Sequence, residues 1–393
     1  MAFIRPCLKR HLHAVTPLDP AGVPRPQGTD IAFHYGHERG IALEDVDEAQ
    51  LLLISLLDGQ YTFDEIMARL QAHDAGITAG DISQQLDQLA ELSLIEDAGV
   101  TPPDALTETD LERYAGQIRF FSILDTSGKQ RFEMQARLKR ARVTVLGLGG
   151  LGSNVVMGLA AAGVGFIRGV DGDSVEMSNL NRQVLYDVGD FGTSKALAAA
   201  EQVRRFNPSI VFEPLHEFLE SPERIAEVIK DTDVVALCAD APRSIFVWVN
   251  SAALATGVPF ISGGYRGTAA EVGPFVVPFT TSCLGCNMPL QPEAPPVPLA
   301  WVNEAFWLRH PTSYITTAAA ASLTCGEIIK YLTGFATPVT YNSMYTLDIE
   351  HLTLTSVPRA RDPHCAVCGG GTRTAAARSA APVSAAVALP ENS

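Results

Sequence analysis

The sequence is short of positive charge. Lys and Arg number 29 against 44 Asp and Glu, a formal net charge of −15 over 393 residues. A chain this acidic repels phosphate backbones, which excludes general nucleic-acid binding. No apolar run is long enough to span a bilayer, so no membrane partner is expected. Residues 1–15 hold Arg5, Lys9, Arg10 and two His without an apolar signal core. These absences predict a soluble, cytoplasmic protein. Internal repeats are lacking too. Cysteine is sparse and odd in number: Cys7, Cys238, Cys283, Cys286, Cys325, Cys365 and Cys368. That excludes a fully paired disulfide scaffold, which a chain of this size does not need. What is present is apolar: 47% hydrophobic residues can bury a sizeable core, and the length suits two or three domains.

The chain divides by pattern into a head and linker (1–104), a large body (105–372) and a tail (373–393). The first 100 residues carry six Lys and Arg against sixteen Asp and Glu, a local charge of −10. Short strands are expected around Gly36 and Gly40. Helices follow over Asp47–Leu57, over Thr62–Leu70, and through Ile82, Leu86 and Leu89, with a returning strand at Leu94–Asp97. This is the pattern of a small winged-helix domain. Its usual use is DNA binding; the charge opposes that and favours a peptide or protein ligand. Thr101-Pro102-Pro103-Asp104 reads as a linker. Strands and helices then alternate from Val143 to Ser262, which predicts an α/β fold with a doubly wound, mostly parallel sheet. Leu290–Pro298 reads as a Pro-rich loop. The Ala/Ser/Pro tail cannot bury a core and is expected to be disordered.

Three constellations carry chemistry. Gly147-Leu148-Gly149-Gly150-Leu151-Gly152-Ser153 follows a strand and opens a helix. Glycines let the backbone approach a phosphate there, and the helix N-terminus supplies N–H donors and a positive dipole end. Asp171 ends the next strand about twenty residues on, where a carboxylate accepts ribose hydroxyls. Taken alone this motif predicts a nicotinamide or flavin oxidoreductase. The second constellation runs from Asp171 through Asp173, Ser178, Asn179, Asn181, Arg182 and Gln183, with Lys195 downstream and Asp240 after a later strand. A dinucleotide reader has no need of this cation and amide cluster, whereas a triphosphate does. Arg182 and Lys195 neutralise phosphate oxygens, and Asp240 can hold Mg2+ as pyrophosphate leaves. The third is Cys283-Leu284-Gly285-Cys286 with Cys365-Ala366-Val367-Cys368. Two such pairs complete a closed, tetrahedral, structural Zn2+ site. Two redox pairs are the weaker alternative, since neither opens a helix in a thioredoxin-like context.

Together these motifs resemble the ThiF/MoeB/HesA family, relatives of ubiquitin-activating enzymes, over roughly Leu111–Gly370. Trp248-Val249-Asn250, Gly264-Tyr265, Gly273-Pro274, Val277-Pro278 and Asp240-Ala241-Pro242 are similar to its MccB-like branch, the microcin C nucleotidyltransferases. The resemblance implies a Rossmann-like ThiF fold that binds Mg-ATP, adenylates a C-terminal carboxylate and releases pyrophosphate. It implies that Gly149, Gly150, Asp171, Asp173, Ser178, Asn179, Asn181, Arg182, Gln183 and Lys195 line the ATP site. Asp240 would be the Mg2+ ligand and, with Arg182 and Lys195, would carry the chemistry. It further implies a homodimer, and a head domain that clamps a ribosomally made precursor peptide. The family's Arg-Tyr-x-Arg-Gln run reads Arg113-Tyr114-Ala115-Gly116-Gln117 here. Its second arginine, which reaches the partner subunit's phosphates in the family, is Gly116; Arg119, one turn further on, is the candidate replacement and Arg113 the second. No cysteine nucleophile stands between Asn287 and Thr324, so no thioester step is expected. A sulfur-carrier adenylyltransferase and a non-catalytic peptide-binding partner of a cyclodehydratase are the alternatives.

Overall fold

The computed structural model describes residues 3–9, 12–15, 31–34, 40–123, 125, 130–287 and 311–369. Within it the chain divides into two units, Met1–Ala136 and Arg137–Ser393. The expected loop at Leu290–Pro298, the tail and Gly36 lie outside the described residues.

The first unit begins with β1 (Pro6–Leu8), then β2 (His13–Val15), β3 (Ile31–His34) and β4 (Gly40–Leu43) as a small antiparallel sheet. Three helices follow: α1 (Glu48–Leu56), α2 (Phe63–His73) and α3 (Ala79–Glu91). Asp47, Thr62 and Thr78 cap them, each in a reciprocal capping box with the residue three places on. Leu53, Ile66, Leu70, Ile82, Leu86 and Leu89 recur at helical spacing and are buried together with Phe33, Leu94 and Ile95. β5 (Ile95–Asp97) pairs antiparallel with β1. The expected helix near Leu111 is two helices, α4 (Glu108–Arg113) and α5 (Ala115–Ser122), broken at Tyr114.

The division between units falls within α6 (Gln130–Arg140). The segment after the Pro102-Pro103 linker is held in the first unit by a buried ionic knot. The Lys9 ammonium donates to the Ser122 carbonyl at 2.6 Å. The Arg131 backbone N–H donates to Asp125 at 3.0 Å, and the Arg131 guanidinium pairs with Glu96. Burial pushes the Lys9 amine down to about 8, against the opposing pull of Asp125 and Glu96.

The second unit is one eight-stranded sheet with helices on both faces. Its elements run β6 (Arg142–Leu146), α7 (Gly150–Ala162), β7 (Phe166–Val170), α8 (Lys195–Phe206), β8 (Val211–Leu215), α9 (Pro222–Ile229), β9 (Val234–Leu237), α10 (Ile245–Thr256), β10 (Phe260–Arg266) and β11 (Ala269–Val276). Then come the short α11 (Leu284–Asn287), α12 (Tyr314–Thr333), β12 (Ser343–Asp348) and β13 (Thr353–Pro358). The strand order is β13-β12-β11-β10-β9-β6-β7-β8, parallel from β10 to β8 and antiparallel beyond. The mostly parallel sheet expected from the βα alternation is therefore present. Leu146, Val170, Val235 and Leu237 face a core formed with Ile225, Val228 and Val249 of α9 and α10. Val143 and Val145 point to the other face and are fully buried. α7 and α12 are in contact with each other, α7 with β6 and α12 with β10. No helix among the described residues is long and apolar enough to cross a membrane.

Candidate active site

β6 lies between β7 and β9: the chain runs from β6 outward through β7 to β8, then crosses back to β9 on the other side. In open α/β sheets the crevice at the carboxyl end of such a strand is where ligands bind. The glycine run sits there. Gly147 has φ +90, and a Cβ on it would lie 2.8 Å from the Ala239 nitrogen. The turn after β6 is thus pressed against the residue before Asp240. A Cβ on Gly152 would lie 1.8 Å from the Gly147 oxygen, and one on Gly150 would meet Thr317 at 3.0 Å and Arg182 at 3.2 Å. Gly149 is the N-cap of α7 and has no side chain with which to cap it. The first N–H groups of α7 are left for a ligand.

The second constellation folds back onto this turn. The Asp171 carboxylate accepts from the Leu148 N–H at 2.7 Å and the Asp173 N–H at 2.9 Å. The Lys195 ammonium, on a buried side chain, donates to Asp173 at 2.8 Å and stands 4.0 Å from Asp171. Asn154 donates to the Gly150 and Arg182 carbonyls at 2.7 and 3.0 Å. The Tyr186 hydroxyl donates to the Leu148 carbonyl at 2.9 Å; burial, with Asp171 second, pushes its phenol well up. A short 3-10 turn over Met177–Asn179 carries Ser178 and the buried Asn179, which accepts from the Glu176 N–H at 3.0 Å. Arg182 donates to the Ser178 carbonyl at 2.9 Å and to the Asn181 side chain at 2.8 Å.

The structure brings Gly149, Gly150, Asp171, Asp173, Asn181, Arg182, Gln183 and Lys195 to one end of the sheet, and Asp240 stands exposed beside them. Arg119 is exposed on α5, in the first unit. Among the described residues, the buried Gln183 side-chain oxygen and the Arg182 Nε in the crevice have no hydrogen-bond partner. Glycine-bared backbone, a helix N-terminus, two cations and unpartnered donors and acceptors fit a nucleoside triphosphate. One neighbour was not picked out as a site residue. Tyr265, near the end of β10, is close enough to Arg182 and Asp240 for both charges to act on its phenol. Burial pushes its phenol up, with Arg182 pulling down and Asp240 adding to the rise. Its place depends on strand register, which no local motif announces.

The four paired cysteines form a separate cluster within the core beneath α9 and α10. Their sulfurs lie 3.8 Å (Cys283–Cys365), 3.9 Å (Cys283–Cys286) and 3.5 Å (Cys286–Cys368) apart. A tetrahedron of thiolates with metal–sulfur bonds of about 2.3 Å has edges of about 3.8 Å, so the spacing fits one ion, whereas a disulfide would need about 2.05 Å. Burial pushes the Cys283 thiol well up, which a bound cation would reverse. The Leu284 N–H donates to the buried Asn250 at 3.0 Å, fixing this knuckle to α10. Cys325 is core: its thiol donates to the Val155 carbonyl at 3.5 Å, and burial pushes it up to about 12.

This fold and crevice define a nucleoside-triphosphate-binding α/β enzyme. The ThiF family model matches residues 114–367. Vegetative HesA of Trichormus variabilis is 31% identical over 266 residues, covering 67% of this chain and 91% of that protein. A sulfur carrier protein adenylyltransferase of Thermus thermophilus is 34% identical over 267 residues, covering 67% of this chain and 92% of its own length. E. coli MccB solved with ATP shares the fold, with a TM-score of 0.74 at 22% identity over 93% of this chain and 100% of that one. The same protein solved with AMPCPP and MccA gives 0.72. The chain belongs to the ThiF family, and it is an ATP-dependent adenylyltransferase of that family's type.

Proposed function

We propose that this enzyme adenylates the C-terminus of a ribosomally made peptide held by its first unit. The observation that carries the reading is a groove of about 570 Å³ between β4, α1 and α3. β4 pairs only with β3 among the described residues, so its other edge is open to a further strand. The groove floor is apolar (Leu43, Val46, Leu53, Leu89), and among the described residues its rim carries Glu44 and Glu91 with no Lys or Arg. That lining suits an extended segment with aliphatic side chains and flanking cations. The solution of MccB with MccA supports the same reading by analogy of fold.

At the crevice, the peptide's terminal carboxylate, or an amide-derived nitrogen, attacks the α-phosphorus of ATP. The new bond forms as the bond to the bridging oxygen of the β-phosphate breaks, and pyrophosphate leaves. Arg182, Lys195 and the α7 N-terminus stabilise the charge that moves onto phosphate oxygens. Asp173, now paired with Lys195, holds that ammonium in place beforehand. Asp171 is committed to bracing the glycine turn. Asp240 would hold Mg2+, which neutralises charge on the leaving pyrophosphate. Zn2+ in the four-cysteine cluster would be structural, with no open coordination position. The enzyme acts as a homodimer in this reading, with Arg119 the arginine available to stand in for Gly116.

The identity of 34% to the Thermus sulfur-carrier enzyme favours a second substrate, a folded carrier ending in Gly-Gly. One assay separates the two: pyrophosphate release from Mg-ATP with candidate peptides or carriers, beside the acceptor's intact mass. Peptide-dependent release with a nucleotidyl mass gain, lost in Asp240→Ala, is the expected result. Carrier-dependent release alone supports the second reading. Tight peptide binding without release under any nucleotide overturns both and favours a recognition subunit.

A further inference from the structure

We infer that Phe218 is the platform on which the base of the bound nucleotide stacks, and so the residue that makes the site favour a purine. The inference rests on the crevice being the triphosphate site, and not on which acceptor is used. A nucleotide is built in a fixed order, with the ribose between the phosphates and the base. The sheet offers the same order. β6, β7 and β8 lie side by side and parallel. The glycine turn and the N-terminus of α7 follow β6, and Asp171 follows β7. Phosphates at the first position and ribose at the second carry the base towards the end of β8.

Phe218 stands there, three residues past Leu215, the last residue of β8. The Asp171 N–H donates to the Leu215 carbonyl at 3.1 Å, so the segments after the two strands set out from one place. A Cβ on Gly172 would lie 2.6 Å from Cγ and Cδ2 of Phe218 and 2.7 Å from Cδ1. A point almost equally far from three adjacent ring atoms lies over the face of the ring, not at its edge. The bare backbone between Asp171 and Asp173 is therefore laid against one face of the phenyl, and only glycine lets the ring come this close. Yet Phe218 is 65% exposed. The ring is backed by the loop that follows β7 and presents its other face to solvent, as a stacking surface must. The two residues before it are turned elsewhere: Arg224 donates to Glu217 at 2.9 and 3.0 Å, and the His216 Nδ1 lies 3.4 Å from the Asp171 carbonyl oxygen. Every base has a π-face, but a purine covers more of a phenyl ring than a pyrimidine does.

Calorimetric titration of the full chain with MgATP and MgUTP, without acceptor, tests this on Phe218→Ala, Phe218→Leu and Phe218→Tyr. The side chain is exposed, so melting temperatures without nucleotide are expected to stay within about two degrees of wild type. In Phe218→Ala, ATP affinity is expected to fall about tenfold, the scale of one base–aromatic stack, and UTP affinity by less than about threefold. Phe218→Tyr keeps the ring and should hold ATP within about twofold of wild type. Phe218→Leu, apolar but without a ring, should behave like Phe218→Ala. Unchanged ATP affinity in Phe218→Ala overturns the proposal. So does an equal loss for ATP and UTP, which makes Phe218 a general support of the pocket, and so does full recovery by leucine, which makes it an apolar wall and no more. A wild-type chain that binds no MgATP overturns the site assignment itself, and this proposal with it.

Discussion

Gly147→Ala should damage this enzyme far more than its single added methyl suggests. Gly147 has φ +90, where an L side chain costs about 1–2 kcal/mol of local strain. The larger effect comes from where the methyl lands: 2.8 Å from the Ala239 nitrogen, 2.9 Å from its Cα and 3.0 Å from its Cβ. Ordinary carbon contacts begin near 3.5 Å, so the turn and the β9 end must part by roughly 0.5–1 Å. Asp240 is the next residue along that segment. A displacement of about 1 Å at a reacting centre costs on the order of 10²-fold in rate. The expected outcome is a loss of about 3 kcal/mol of stability by urea titration and about a hundredfold fall in pyrophosphate release. Gly267→Ala is the control. Its φ is +60, and nothing lies within 4 Å of an added Cβ, so it should show the strain alone, about 1 kcal/mol, with turnover close to wild type. If Gly147→Ala behaved like Gly267→Ala in both assays, the close packing of turn and strand end would not be what positions Asp240.

Two further outcomes follow from the packing. Cys368→Ser should reduce bound zinc, measured by native mass spectrometry, well below one equivalent. The ion closes chain segments 82 residues apart, a constraint of about 4 kcal/mol, so the melting temperature should fall by about 10 °C; full zinc content at an unchanged melting temperature would refute the shared site. Lys9 carries the pH prediction. Its folded value of about 8 lies below the free 10.5, so between these pH values the unfolded chain binds the proton more tightly. The penalty of holding a buried ammonium is fully present below pH 8 and is relieved as pH rises to 10.5, by up to about 3 kcal/mol. Urea midpoints of the wild type should show this rise relative to Lys9→Met, and parallel curves for the two proteins would sink the idea.

The parts of this molecule that were legible in the sequence are those whose physics is local. A glycine run between a strand and a helix announces a phosphate cradle because backbone conformation and helix dipole act within a few residues. The three capped helices of the first unit are equally plain, since Asp47, Thr62 and Thr78 each bond three residues ahead. What stayed hidden depends on register or on distant partners. Tyr265 is carried toward the charges of the crevice by β10, a strand nearly a hundred residues beyond the end of α7. β13 is exposed along its whole length, so burial imposes no alternation on it. α6 is rich in charge, and its Arg131 is buried against Glu96, a partner 35 residues back along the chain. Asp171 carries a second task that its spacing does not announce: its two oxygens each accept one backbone N–H and brace the glycine turn.

The first unit has its own core, and the groove shares only its floor with that core. Leu53 and Leu89 belong to the buried cluster, whereas Glu44, Gln50, Gln85, Gln88 and Glu91 do not. Exchanging such rim residues costs within about 0.5 kcal/mol, so the rim can be rewritten while floor, helices and catalytic crevice stay as they are. Partner choice and chemistry can then change at different rates over evolutionary time. An engineer could likewise retarget the enzyme by editing five surface positions and leaving the sheet untouched.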